Sequence, residues 1–129
     1  MIGSTRQIAV YGWGAPTDMR RSFDGLQALV CQQLQRDALS GDMFLFVSRN
    51  RRRAKVLFWD GTGLCVYAKR LEKGRFAAPW QRLGDDGLMR LTTSELSLFL
   101  EGSELIGKVA LSPAPFTLGT QSKIMMSSG

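Results

Sequence analysis

The dipeptide Asp60-Gly61 separates two apolar runs and is the feature that most restricts how this chain can fold. Asp-Gly between residues of high β-propensity is a strong signal for a tight hairpin turn. The runs on either side are rich in β-branched and aromatic residues. The sequence therefore predicts two antiparallel strands, with Trp59 paired to Thr62 in a two-residue loop or to Leu64 in a four-residue loop.

Either loop length leaves the same residues on each face of the hairpin, because directly paired residues share a face. The predicted faces are Leu57, Trp59, Leu64, Val66 and Ala68 on one side, and Val56, Phe58, Cys65 and Tyr67 on the other.

The preceding run from Met43 to Ser48 has apolar residues on both faces, with Phe44 and Phe46 on one and Leu45 and Val47 on the other. This pattern predicts a strand covered on both faces. A further short strand is predicted after the Lys73-Gly74 turn, and the run Q-I-A-V-Y from Gln7 to Tyr11 is predicted to form an edge strand. Gly12 to Pro16 is predicted to break that first strand and form a loop.

Two helices flank these strands in the prediction. Apolar residues at spacings of four, three, four and four predict a helix from Asp18 to about Arg36, capped by Thr17 or Asp18. Thr92 and Glu95 have the spacing of a capping box, which predicts a second, short helix that ends at Gly102. The predicted fold class is α+β, an antiparallel β-meander of three to five strands packed against the N-terminal helix and the short C-terminal helix.

A chain of 129 residues fits one domain. Composition shifts to Ser, Pro, Gly and Thr near the C-terminus, so the prediction is a single domain over residues 1–107 and a flexible tail over residues 108–129. No apolar run reaches the roughly 20 residues of a membrane span, and no signal peptide is recognisable. A cytoplasmic protein without a membrane partner is expected.

The chain contains two cysteines and no histidine. Cys31 and Cys65 are predicted to be buried free thiols, because a zinc site needs about four thiolate or imidazole ligands. The absence of histidine removes Ser-His-Asp and Cys-His catalysis and the commonest general base. The sequence therefore predicts a non-enzymatic protein without a cofactor.

Positive charge is concentrated between residues 43 and 76. This stretch holds nine basic and two acidic residues, whereas the other residues hold eight basic and nine acidic ones. The net charge of +6 is thus a property of this stretch. Because the strand ends opposite the Asp60 turn carry the cations, we predict one basic end of the sheet. The candidate nucleic-acid-binding residues are Arg49, Arg51, Arg52, Arg53, Lys55, Lys69, Arg70, Lys73 and Arg75, with Arg20 and Arg21 in the first helical turn.

Five motifs, in this order and spacing, resemble a known family. They are P-T-D-M-R-R-S-F-D-G-L from Pro16, F-L-F-V-S-R-N-R-R-R from Phe44, K-V-L-F-W-D-G-T-G-L from Lys55, K-R-L-E-K-G-R-F from Lys69, and the weaker L-T-T-S-E-L-S-L-F-L-E-G from Leu91. The chain resembles the small accessory protein, often called TnpB, of the bacterial insertion-sequence family sixty-six, which is not the RNA-guided nuclease of the same name. The resemblance implies a role in DNA transposition beside a separate transposase.

Three functional hypotheses remain open from the residues. The arginine-rich hairpin can contact a nucleic-acid backbone, with DNA as the expected partner, or simply solubilise the strand ends. Alternatively, Trp13, Trp59 and Trp80 can anchor an adaptor that binds the transposase or forms a homo-oligomer. A metal-dependent nuclease would need several converging carboxylates, from candidates such as Asp18, Asp24, Asp60, Asp85 and Asp86. Asp60 is better explained by a turn, Asp18 by a cap, and Asp85-Asp86 by a solvated loop.

Overall fold

The computed structural model describes residues 7–102, which form one five-stranded sheet with two α-helices and a short 3-10 helix. The α+β class is therefore confirmed. The predicted domain boundary at residue 107 and the tail lie outside the described residues. The elements are β1 Val10–Trp13, α1 Phe23–Gln32, β2 Met43–Val47, β3 Arg53–Trp59, β4 Leu64–Arg70, the 3-10 helix Pro79–Gln81, β5 Leu88–Leu91 and α2 Thr93–Leu100.

The sheet is mixed, so the prediction of a purely antiparallel meander is wrong. The strand order is β4-β3-β2-β1-β5, and β1 pairs parallel to β2 while the other neighbours are antiparallel. The meander itself, β2-β3-β4, is present as predicted. Parallel pairing of β1 and β2 follows from the intervening α1, because a crossover helix returns the chain to the end of the sheet where β1 began.

The first strand is not an edge strand. Four residues from Val10 to Trp13 form β1, which lies between β2 and β5. Gly12 and Trp13 therefore belong to a strand rather than to the predicted loop. The edge of the sheet beside β1 is formed by β5, a strand that was not predicted from the sequence, and no strand forms between Leu71 and Ala78.

The β3-β4 hairpin has the four-residue loop of the two alternatives, since Trp59 pairs with Leu64. Asp60 organises this loop: its Oδ1 accepts hydrogen bonds from the Thr62 amide at 2.8 Å and the Gly63 amide at 2.9 Å. Those bonds, the first from Thr62, lower the pKa of Asp60 to about 2. The role of Asp60 as a turn residue is confirmed.

Both faces of β2 are buried, as predicted for a strand apolar on both sides. Phe44 and Phe46 belong to one cluster with Leu26 and Val30 of α1. Leu45 and Val47 alternate with these two phenylalanines along the strand. They belong to a second cluster, which contains Leu96 and Phe99 of α2. Burial of each large aliphatic or aromatic side chain contributes about 1.5–3 kcal/mol. Because β2 buries such side chains on both faces, it contributes strongly to the stability of the fold.

The first helix is shorter than predicted. It begins at Phe23 after the N-cap Ser22, and neither Thr17 nor Asp18 caps it. Asp18 instead accepts a hydrogen bond from the Arg20 amide at 2.9 Å, which stabilises a local turn before the helix. Arg20 and Arg21 therefore precede the helix, and the prediction that they occupy its first turn is wrong.

The second helix follows its local signals. Thr92 Oγ1 accepts a hydrogen bond from the Glu95 amide at 3.0 Å, and Glu95 Oε1 accepts one from the Thr92 amide at 2.7 Å. Gly102 follows the helix with φ +81°, a left-handed conformation that glycine adopts at low cost. Both predicted boundary signals of this helix are confirmed.

Both cysteines are free thiols, but neither is buried. Cys31 is exposed and Cys65 is half-buried. Cys65 lies on the half-exposed β4, and partial burial raises the pKa of its thiol. Within the described residues, no helix is both long and apolar enough to cross a membrane.

Candidate nucleic-acid interface

The parallel pairing of β1 and β2 determines which segments meet at the basic end of the sheet. Because the two strands run in the same direction, the chain leaves β1 at the same end as the loop after β2. The Thr17 amide donates to the Val47 carbonyl at 2.9 Å and fixes this approach. The segment from Asp18 to Arg21 therefore lies beside the arginine-rich loop.

The loop between β2 and β3 is held by side chains of its own. Ser48 Oγ donates to Asn50 Oδ1 at 2.8 Å and accepts a hydrogen bond from the Arg53 amide at 3.1 Å. Asn50 Oδ1 also accepts a hydrogen bond from the Arg52 amide at 3.0 Å. These hydrogen bonds hold the loop's backbone in place, and the side chains of Arg49, Arg52 and Arg53 are exposed.

A second segment packs along this loop. The Leu71 amide donates to the Arg52 carbonyl at 2.8 Å, and the Phe76 amide donates to the Arg51 carbonyl at 2.7 Å. The chain between these two anchors carries Lys73 and Arg75, both exposed. Cations that are about 20 residues apart in sequence are thus brought to one end of the sheet.

Three of the predicted ligand-binding cations serve the fold. Arg51 has φ +61° and its Nη1 donates to the Phe76 carbonyl at 3.3 Å. Lys55 Nζ donates to the carbonyls of Met19 and Arg21 at 2.9 and 2.7 Å. Lys69 Nζ donates to the Leu100 carbonyl at 2.7 Å, at the C-terminal end of α2 where a cation is favourable.

Two further cations are paired with exposed acids. Arg20 binds Asp18 at 2.6 Å, and the side-chain hydrogen bond from Arg20 lowers the pKa of Asp18 to about 2. Arg70 Nε lies 3.4 Å from Glu72 Oε2. Ion pairs this exposed contribute little to stability. Arg21 makes one long hydrogen bond, 3.4 Å from Nη1 to the Gly25 carbonyl.

The remaining five predicted cations are exposed and have no side-chain hydrogen bond or ion pair within residues 7–102. Their positions are the β2-β3 loop, the start of β3 and the segment after β4. We call this set the open cations; it consists of Arg49, Arg52, Arg53, Lys73 and Arg75. All of them lie at the end of the sheet opposite the Asp60 turn, as the charge pattern predicted.

Two adjoining depressions connect several of these groups. The first is lined by Met19, Arg53, Lys55, Ala68, Arg70 and neighbouring residues, and the second by Arg20, Arg49, Asn50, Arg53 and others around Met19. Arg53 and Met19 line both depressions, so the surface is continuous. The arrangement suits contact with several successive phosphate groups rather than enclosure of a small molecule.

A separate cationic cluster was missed in the sequence. Arg36 lies over the Tyr11 ring at 3.9 Å, and Asp86 Oδ2 lies 3.8 Å from Arg36 and 2.7 Å from Arg90. The hydrogen bond from the Arg90 side chain lowers the pKa of Asp86. Asp86 stays exposed in its loop, yet it is an acidic partner for both arginines. Only the spacing of four between Asp86 and Arg90 signalled this pair in the sequence.

Metal-assisted chemistry has no evident centre in the described part of the chain. Among residues 7–102, no group of three or more histidine, cysteine, aspartate or glutamate side chains is placed to hold a metal ion. Asp18 and Asp60 are occupied by Arg20 and by the turn amides, respectively.

The chain matches the family described as IS66 Orf2 like protein over residues 8–109. It is 35% identical over 102 residues to the uncharacterized protein y4jC of Sinorhizobium fredii, covering 79% of this chain and 85% of that relative. The uncharacterized protein y4hO of the same organism is 33% identical over 102 residues, covering 79% of this chain and 86% of that relative. No solved structure matches the chain.

The chain belongs to the IS66 Orf2-like family, also designated TnpB of that insertion-sequence family. Membership makes it a transposition-associated accessory protein of an insertion sequence. The resemblance carried by the five sequence motifs is thereby confirmed, and the matched range includes all described strands and both helices.

Proposed function

We propose that this protein is a non-enzymatic accessory factor of DNA transposition that contacts the sugar–phosphate backbone of DNA through its basic end. One observation carries the proposal: the five open cations gather at one end of the sheet and have no protein partner within the described range. Unpaired arginines and lysines clustered on one surface are the electrostatic footprint of a polyanion-binding protein.

The helices support backbone contact rather than base reading. Neither Phe23–Gln32 nor Thr93–Leu100 contains an arginine or a lysine. Helices that read the major groove place basic and amide side chains against base edges. We therefore propose binding with little sequence preference, in which the loops and not a recognition helix touch the DNA.

The salt dependence of binding to a short duplex tests this proposal. Five phosphates neutralised by the open cations give a log–log slope of observed affinity against salt of about −4.5. Fluorescence anisotropy with two unrelated duplex sequences of equal length measures the slope and the sequence preference together. Absence of binding at low salt, or a slope near zero, would overturn backbone contact.

The non-enzymatic part of the proposal has its own check in the same assay. Labelled duplex incubated with magnesium or manganese is expected to stay intact in the presence of the protein. Cleavage that depends on the metal and disappears on substitution of Asp18 or Asp86 would overturn it.

An adaptor role is the second candidate, and the exposed edge of the sheet favours it. Strand β4 ends the sheet in the described range, and Tyr67 on this strand is 46% exposed. Trp59 at the end of neighbouring β3 is half-buried. An exposed aromatic beside an unpaired strand edge suits strand addition by a protein partner. The partner that would add a strand to this edge is either the transposase of the same element or a second copy of this chain.

Pull-down with purified transposase tests the adaptor role. Retention by the native protein and loss on Tyr67→Ser are expected, because a buried aromatic anchor typically contributes about 2 kcal/mol or more to binding. Ile8→Ser is the matched control, since Ile8 is 43% exposed and precedes β1, away from β4. Equal retention of both variants would argue against the β4 edge, and sedimentation of the protein alone detects self-association.

A further inference from the structure

Two arginines of the sheet face each other, and only one of them, Arg70, lies near a carboxylate, that of Glu72. Arg53 of β3 and Arg70 of β4 are direct partners in the strand register. Like charges directly opposite on neighbouring strands are destabilising. The fold maintains an unfavourable pair at this position, which suggests that an anion compensates it.

The pair also occupies the closer of the two kinds of strand positions. The Asp60 amide donates to the Gly63 carbonyl, and the Leu71 amide donates to the Arg52 carbonyl. Because hydrogen-bonded and non-hydrogen-bonded pairs alternate along an antiparallel ladder, Arg53 and Arg70 form a non-hydrogen-bonded pair. Their Cα atoms are then about 4.5 Å apart and their side chains start close together.

Neutralisation by the protein is slight. Arg53 has no side-chain partner in the described range, and Arg70 has only Glu72, with both of those side chains more exposed than buried, at 64% and 80%. An ion pair so exposed to water is weak. Apart from Arg70 Nε–H, which points to Glu72, the N–H donors of the two guanidinium groups are therefore available to an anion.

Beside the pair lies a depression in which the small side chain of Ala68 forms the floor. Ala68 pairs with Lys55 one step along the ladder, and both line the depression together with Met19, Arg53 and Arg70. Glu72, the exposed partner of Arg70, also lines it. Its volume is about 490 Å³. Lys55 Nζ donates two hydrogen bonds to carbonyls and retains a third N–H. Ala68 is exposed, so its methyl group leaves the floor open.

We infer that this depression, which we call the Arg53–Arg70 cradle, is a discrete binding site for one phosphate group. The two guanidinium groups bind its oxygens and the remaining Lys55 N–H adds a third contact. Paired guanidiniums match the geometry of phosphate oxygens better than ammonium groups do. The inference rests on the proposed DNA contact, in which the cradle fixes one backbone phosphate while the open cations hold its neighbours.

Two carboxylate substitutions on the same strand test the cradle. Ala68→Glu puts a carboxylate on its floor, whereas Tyr67→Glu puts the same charge one residue away on the opposite face of β4. Both positions are exposed, so the fold is expected to tolerate both changes. In duplex binding, Ala68→Glu is expected to weaken affinity about tenfold more than Tyr67→Glu does and to lower the salt slope by about 1.

Sodium pyrophosphate at constant ionic strength separates the cradle from DNA binding. Side-chain Nε–H signals of Arg53 and Arg70 are expected to shift saturably in the native protein and in Tyr67→Glu, but not in Ala68→Glu. Unsaturable shifts in the native protein, or equal losses in both variants, overturn the cradle even if DNA still binds. Saturable pyrophosphate binding without DNA binding upholds the cradle, as a site for a free phosphate compound, and overturns the proposed function.

Discussion

Phe76→Ala is expected to lower the free energy of unfolding by about 3–5 kcal/mol, the range for a fully buried phenylalanine. Phe76 is 0% exposed although its segment forms neither helix nor strand. Its ring stacks on Phe99 of α2 with centroids 5.8 Å apart. Removal of the ring leaves a cavity between the sheet and α2. It also weakens the hold of the hydrogen bond from the Phe76 amide to the Arg51 carbonyl, which keeps this segment beside the loop.

Urea denaturation followed by tryptophan fluorescence measures this loss, with Phe23→Ala as the matched control. Phe23 is 46% exposed at the start of α1, so the same truncation there is expected to change stability by less than about 1 kcal/mol. A double-mutant cycle of Phe76→Ala and Phe99→Ala is expected to give a coupling energy of about 0.5–1.5 kcal/mol. Equal effects at positions 76 and 23 would contradict the packing.

Replacement of all five open cations by glutamine is expected to abolish most DNA binding. The electrostatic contribution of five phosphate contacts corresponds to about four orders of magnitude in affinity at 0.1 M salt. The log–log slope of affinity against salt is expected to become less negative by about 4.5. Stability is expected to stay within about 0.5 kcal/mol per site, because these side chains are exposed and make no side-chain hydrogen bond within residues 7–102. Arg51 is deliberately left unchanged, since it holds Phe76.

Two controls distinguish the basic end from total charge. A variant with lysine for each open arginine and arginine for Lys73 keeps every charge and is expected to keep the slope. Arg82→Gln removes a cation next to the 3-10 helix and is expected to change binding little. This helix contacts β5 and β1, which lie towards the sheet edge opposite β4. If Arg82→Gln lowers the slope as much as Arg53→Gln does, binding depends on net charge and not on the basic end.

Local signals were sufficient for the turn, the second helix and the hairpin faces. Asp60 accepts amides two and three residues ahead, and Thr92 and Glu95 satisfy each other's amides, so both features depend on neighbours in sequence. The residues on each face of the hairpin could be predicted for either loop length, because side chains along a strand alternate with a period of two. The start of α1 was misread because Met19 matched the helical spacing while a turn at Asp18 interrupted the backbone.

The topology needed information that spacing cannot supply. The order strand, helix, strand from β1 to β2 was a signal for a parallel crossover unit, but β1 is only four residues long and contains Gly12. Its partners, β2 and β5, lie about 30 and 75 residues further along the chain. Strand β5 is equally short, and its identity depends on pairing with β1 rather than on its own composition.

By itself, the sequence determined the β2-β3-β4 meander, the Asp60 turn, the capped α2 and the collection of charge at one end, because each rests on periodicity or on contacts between near neighbours. Tertiary structure alone decided which cations face solvent. Arg51, Lys55 and Lys69 carry the same charge as Arg49 or Arg52, yet they donate to the carbonyls of Phe76, Met19, Arg21 and Leu100. Unsatisfied carbonyls at a helix end or in a partly buried loop need a donor, and only the folded chain determines which cation can reach them.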